Sequence, residues 1–454
     1  MSRQPPIKEW SAGAHARKPS RPVSAERSSI LIRNAHIIDP ASGLDGPGDI
    51  LIDQSGIVAV GRVPARSKAG QVIDADGLWL IPGIVDLCAR FREPGQTRKA
   101  TFASETHAAQ ASGITEILLP PDTQPVVDSP AMAIRVQRIA DQTGGLDVRL
   151  IGALTRNLEG EALAELSALR AAGAVGVSNA LAPVRDSLIA RRALDYARGL
   201  GLTTHVFAQD ATLAAGGCAH EGPVATRLGL ASVPVAAEVA ALRFWISLVE
   251  DTGARVHFCR LSTARGVELI ESALARQLPV SADVAAHQLF LTDQDVDGFN
   301  AQCHVQPPLR TAGDRDALRD AVRSGVISAI CSDHQPHEID AKINPFAMTE
   351  PGVSGLETLL PLVLELIREN QVPRLDAVAR LTLGPAGIAG TGSGRLAPGC
   401  PANLALIDPD CEWTLDPARL RSSGHNTPFA GKRLHGKVLR TFHHGREVFN
   451  AVDP

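Results

Sequence analysis

Three arginines, Arg90, Arg92 and Arg260, and one aspartate, Asp333, stand just after short apolar runs, as do the thiols of Cys88, Cys259 and Cys331. A guanidinium carries only donors and cannot deprotonate in a protein, so these arginines repel a cation and suit a planar anion such as a carboxylate or phosphate. A thiolate metal site built from the three cysteines and His205 is the competing chemistry. His205 lies two residues before Phe207 in Leu202–Phe207, on the same strand face but about 6–7 Å away along the strand, which sets it deeper than the strand end. A free cysteine is commonly a small buried hydrophobe, and that is the reading preferred here.

These residues need a frame. After Pro82-Gly83 the sequence alternates apolar runs with helical stretches, and eight runs can be counted: Ile84–Cys88, Ile114–Leu119, Val148–Leu154, Ala174–Val177, Leu202–Phe207, Val256–Cys259, Val280–Val284 and Val326–Cys331. Helical stretches at Glu161–Ala172, Ser187–Leu200, Val235–Glu250 and Ala264–Arg276 lie between or after them. Eight strand–helix units predict an α/β fold, a (β/α)8 barrel whose chemistry sits at the C-terminal ends of its strands. Ile30–Arg33, Asp49–Ile52 and Ile57–Val60 alternate between Gly and Asp turns, and strands return at Asn403–Ile407 and Gly436–Thr441. The expected organisation is a tail over 1–28, a small β-sandwich domain built from 29–80 and 393–454, and the barrel over 81–392. The first 28 residues, rich in Pro, Ser and basic residues, read as a flexible tail with no apolar stretch of the kind a secretory signal needs.

At the strand ends the sequence resembles dihydroorotase, the amidohydrolase of pyrimidine synthesis. The motifs are Arg92-Glu93-Pro94-Gly95-Gln96, Pro125-Val126-Val127-Asp128-Ser129, Pro307-Pro308-Leu309-Arg310-Thr311, Ser332-Asp333-His334-Gln335-Pro336-His337 and Gly355-Leu356-Glu357-Thr358. The resemblance implies an amidohydrolase barrel that uses metal ions, usually zinc, held by imidazoles and carboxylates. Its ligand positions fall on Cys88 and Arg90 after strand one, within Ser178-Asn179-Ala180 after strand four, and on Phe207, Arg260 and Asp333. Only Asp333 is a ligand type. No metal and no other cofactor is therefore expected there, with Arg90, Arg260 or both serving as the positive partner of Asp333 and Phe207 filling vacated space. On the substrate side, the resemblance matches Arg92 and His337, while Asp122 and Gln306 replace two binding asparagines. Asp122 is expected to repel an anionic substrate, and Arg92 and His337 read equally as braces of their loops.

Dihydroorotase-like chains without the histidines are partners of aspartate transcarbamoylase, and the resemblance implies that role here: a non-catalytic assembly subunit that also self-associates. Two readings stay open beside it, an active dihydroorotase with a displaced metal and an anion sensor using Arg90, Arg92 and Arg260. A net charge of −4 gives no footprint for nucleic acid or an anionic membrane, and no apolar run is long enough to span a bilayer. Seven dispersed cysteines without a Cys-x-x-Cys pair read as reduced thiols of a cytoplasmic protein. His205, His257 and His287 are expected to be satisfied core or loop residues, and His443-His444 a solvated strand end far from the barrel mouth.

Overall fold

The computed structural model describes residues 29–64 and 69–451. The tail expected over 1–28 lies outside them. Each of the eight apolar runs overlaps a barrel strand: Ile84–Asp86, Ile114–Leu119, Asp147–Ala153, Gly176–Ser178, Thr203–Phe207, Val256–Cys259, Val280–Ala285 and Ala329–Cys331, called barrel strands 1 to 8 below. They pair in parallel and in sequence order. Strand 8 meets strand 1 through a single parallel bridge, Ala89 to His334, where Arg90 N donates to His334 O at 3.0 Å and His334 N to Cys88 O at 3.1 Å. The seam of the barrel thus runs through the residues singled out for chemistry.

Helices cover the outside of the barrel and share a continuous apolar core with the outer faces of the strands. A smaller apolar cluster, including Leu87, Leu118, Ile151, Ala285, Ala329 and Cys331, packs at strands 1, 2, 3, 7 and 8. The expected helix at Glu161–Ala172 shrinks to Leu166–Ala171. Thr155 and Leu163 form a bridge there, and Arg156 N donates to Ala162 O at 2.9 Å, so tertiary pairing overrides the local helical pattern.

The two chain ends build one eight-stranded mixed sheet. Leu404–Thr414 pairs antiparallel with Trp79–Pro82, which joins the C-terminal strands to the N-terminal ones. This sheet has its own core of Ile32, Ile37, Ile50, Ile52, Leu80, Leu404 and Phe442. The chain passes from the sheet into barrel strand 1 across Gly83, where a Cβ would lie 2.0 Å from the Thr115 hydroxyl, so only glycine fits the crossing. No helix among the described residues is long and apolar enough to cross a membrane.

Candidate functional site at the barrel mouth

The loops that leave the strands are bent in a way non-glycine residues seldom adopt. Arg92, Ala180, Arg260 and Asp333 have φ of 62°, 50°, 55° and 43°. Left-handed backbone at such residues costs about 1–3 kcal/mol each and gathers at functional sites, where the surrounding structure enforces it. Ala180 has no side-chain hydrogen bond to favour this conformation; its N–H donates to Ser178 Oγ at 2.9 Å instead.

These bends bring Arg90, Arg260, Cys88 and Asp333 together, all buried. Arg90 Nη1 lies 3.3 Å and Arg260 Nη1 3.5 Å from Asp333 Oδ1. Gln335 Nε2 donates to both Asp333 oxygens at 3.3 Å. Cys88 Sγ sits 3.0 Å from Arg260 Nη1 and 3.5 Å from Arg90 Nη1. Burial pushes its thiol up to about 12 despite both arginines, so it stays protonated and donates toward Asp333 Oδ1 at 3.5 Å. The Arg260 guanidinium lies 4.9 Å from the centre of the half-buried Phe207 ring, a cation–π contact.

Asp122 does not present the free negative charge expected of it. Arg90 Nε donates to its Oδ2 at 2.8 Å, and against the cost of burial this guanidinium holds the carboxyl below its ordinary range. Its charge is directed at the arginine and is compensated there. Arg92 turns away from the cluster: its Nε donates to Pro336 O at 3.2 Å, and burial, then the neighbouring Arg90 charge, lower its pKa to about 10. His337 Nε2 lies 3.0 Å from Pro351 O and 3.3 Å from Arg92 Nη2, and its Nδ1 lies 3.1 Å from Lys99 Nζ. Burial and the adjacent Arg92 and Lys99 hold its pKa down to about 2. Both residues make loop-bracing contacts. Gln306 is half-buried and precedes a cis peptide to Pro307.

One layer deeper, strands 5 to 7 carry polar residues into the barrel. His257 Nε2 is 2.9 Å from Asp283 Oδ2 and its Nδ1 2.9 Å from Ser281 Oγ. Asp283 Oδ1 also accepts from Arg260 N at 2.6 Å, tying this layer to the mouth. His205 faces His257 with ring centroids 5.2 Å apart, and burial holds its pKa down to about 3. Its Nε2, like that of His287, is buried without a hydrogen-bond partner, so these two are not the satisfied histidines expected. One donor atom each from His205, His257 and Cys259 lies within 4.8 Å of the others.

The small void bordered by Cys88, Arg90, Ala180, His205, Phe207 and Arg260 is about 20 Å³, room for about one water. A wider pocket of about 320 Å³ opens beside it, lined in part by Asn179, Arg185, Phe207, Gln209, Asp210 and Trp245.

A family model described as dihydro-orotase-like matches residues 77–265. The "Dihydroorotase-like protein" of Pseudomonas aeruginosa is 49% identical over 413 residues, 91% of this chain and 97% of that protein. The chain belongs to the dihydroorotase-like family. A protein named "Dihydroorotase" from Anaeromyxobacter dehalogenans is 41% identical, over 92% of this chain and 97% of its own length. Among solved structures, the L-hydantoinase (dihydropyrimidinase) of Arthrobacter aurescens superposes with a TM-score of 0.85 at 24% identity, covering 93% of this chain and 96% of that one, a likeness of fold.

The metal set that the dihydroorotase resemblance implies does not fit the residues at this mouth. The side chains of Phe207 and Ala180 offer no lone pair, and two guanidiniums, which carry only donors, stand within 3.5 Å of Asp333 Oδ1. The deeper trio fits only in part. Both His257 nitrogens are committed to Ser281 and Asp283, and burial raises the Cys259 thiol well above its ordinary value. Two contributors escaped the sequence analysis. Gln335 sits inside a recognised motif, and its amide was available as a donor to Asp333. Asp283 lies in a strand, and its alternation with Ser281 placed both on the inward face.

Proposed function

We propose that this chain is a non-catalytic member of the dihydroorotase-like family that assembles with the catalytic chains of aspartate transcarbamoylase and stabilises them in cytoplasmic de novo pyrimidine synthesis, self-associating within that assembly. The observation that carries this reading is the ionic cluster at the mouth. Arg90 and Arg260, at 3.3 and 3.5 Å, compensate the Asp333 charge that a metal would compensate in a hydrolase. A barrel with its fold kept and that position filled by guanidiniums is what a role resting on its outer surface requires. Relatives at 49% and 46% identity carry the name "Dihydroorotase-like protein", whereas one at 41% carries "Dihydroorotase".

Co-expression with the cognate aspartate transcarbamoylase, followed by size-exclusion chromatography and transcarbamoylase assay, tests the reading. A shared peak with activity that falls when the partner is expressed alone is the expected result. Separate peaks, with full transcarbamoylase activity alone, overturn the assembly role. Metal analysis with a dihydroorotase assay in both directions tests the loss of catalysis; bound zinc with turnover would overturn it and direct attention to His205, His257 and Cys259.

A second reading, an anion sensor, is favoured by one observation: Arg90 Nη2 and Arg260 Nε are buried with no hydrogen-bond partner. A thermal shift with carbamoyl aspartate, orotate or a nucleotide, abolished in Arg90→Ala, would support it.

A further inference from the structure

We propose that Asp147, His443 and His444 form a divalent-cation site of the zinc type that clips the C-terminal hairpin of the sheet to the foot of the barrel. Asp147 opens barrel strand 3 and therefore lies at the end opposite the mouth. His443 ends the strand Arg433–His443, and His444 occupies the turn into Arg446–Asn450. What the sequence presents as a solvated strand end is thus completed by a carboxylate from a distant element.

The donor atoms are arranged as ligands are. His443 Nε2 lies 3.4 Å from Asp147 Oδ1, and His444 Nε2 lies 3.4 Å from both Asp147 oxygens, at the long limit of a hydrogen bond. One donor atom from each residue lies within 4.8 Å of the other two. Hydrogen-bonded N and O atoms sit at about 2.7–3.2 Å. Ligands about 2.0–2.1 Å from a tetrahedral zinc are separated by about 3.3–3.4 Å, the edge of the tetrahedron. The Nε2 of His443 is, moreover, buried with no hydrogen-bond partner, so a lone pair or N–H is left uncommitted beside the carboxylate. The two rings stand at 88° with centroids 4.3 Å apart, a crossing that lets both face one point.

The turn that carries His444 is tied to its neighbours. His444 and Gly445 have φ of 49° and 73°, as a two-residue hairpin turn of type I′ requires. His444 N donates to Asn403 Oδ1 at 2.8 Å and Gly445 N to Ala402 O at 3.1 Å. A Cβ at Gly445 would lie 2.0 Å from Asp53 O, so the turn is pressed against its neighbours. Arg149 Nη2 lies 3.5 Å from Asp147 Oδ2 and holds the carboxylate in place, and Glu116 Oε2, 3.6 Å from the same nitrogen, offsets the guanidinium charge. Two imidazoles and a carboxylate leave the fourth position to water, which reaches it past the exposed His444.

The test uses the full-length, tag-free protein stripped with a chelator and titrated with zinc against a chromophoric competitor, with melting curves recorded in parallel. One equivalent bound at micromolar zinc or below, with a higher Tm when loaded, is expected. His444→Asn removes a ligand with a residue that tolerates φ near 49°. It should weaken binding at least about tenfold and remove the zinc-dependent rise in Tm while leaving the unloaded Tm in place. Asp147→Asn should give the same loss from the barrel side, so the result does not hang on one variant. Cys259→Ser, in the other donor group, should change neither. No binding by the wild-type chain, binding that survives His443→Ala with His444→Asn, or binding lost in Cys259→Ser would each overturn the site. None of these outcomes depends on whether the chain assembles with a transcarbamoylase.

Discussion

Asp333 is surrounded by donors: Arg90 Nη1, Arg260 Nη1, Gln335 Nε2 and the Cys88 thiol all lie within 3.5 Å of its Oδ1. Arg90 has a second carboxylate in Asp122, but Arg260 has only Asp333 within 4.0 Å of its guanidinium among the described residues. Asp333→Asn should therefore leave a buried guanidinium uncompensated and destabilise the fold by about 3–5 kcal/mol, read as a lower urea midpoint. If the mouth instead held a cation, the same change would lower metal content with little effect on the stripped protein. Part of this cluster was legible in the sequence, because parallel strand ends converge on a barrel axis and a buried aspartate needs a counter-charge. The Arg90–Asp122 pair was not legible. Asp122 shows only its charge in the sequence, and nothing local says that Arg90 Nε reaches it from the neighbouring strand end.

Among the elements, Glu105 holds three pieces of chain together. It lies on the helix Phe102–Ala111, fully buried, with Oε2 2.7 Å from His334 Nε2 just past barrel strand 8. Its Oε1 accepts from Ser423 N at 3.0 Å. His334 Nδ1 in turn accepts from Gly355 N at 3.1 Å, at the start of the helix Leu356–Arg368, so His334 carries its proton on Nε2 and gives it to Glu105. Glu105→Ala should cost about 3 kcal/mol, since it strands a buried imidazole N–H and a backbone N–H. Hydrogen exchange should rise around residues 334, 355 and 423 before the rest of the barrel; uniform loss of protection would show that the strut is not local. The barrel strands themselves were legible because each is a short apolar run bounded by Gly, Pro or polar residues. The helix over 161–165 was misread because the backbone pairing of Thr155 with Leu163 has no counterpart in periodicity. The strut was invisible for a similar reason: Glu105 and His334 are 229 residues apart.

Across the whole molecule, buried titratable groups set how stability changes with acidity. Burial lowers the pKa of His205, His287, His304 and His337 to about 3, 4, 4 and 2. Between their ordinary 6.5 and these values the unfolded chain holds protons that the folded chain refuses, so their contribution is complete above pH 6.5 and is lost on acidification. Burial raises the carboxyls of Asp86 and Glu357 to about 7, which acts oppositely: the folded chain keeps protons there as pH rises from about 4 to 7, and stability falls. Four histidines outweigh two carboxyls, so the urea midpoint should be lower at pH 5 than at pH 7. An equal or higher midpoint at pH 5 would show that the carboxyls dominate. The single bridge from Ala89 to His334 that closes the barrel is flanked by Cys88, Arg90 and Asp333, so the ionic cluster is also the stitching of the cylinder. Replacing Arg90 or Arg260 by a neutral residue strips a guanidinium from Asp333 and loosens the closure beside it, so the seam of the cylinder and the charge balance of its mouth stand or fall together.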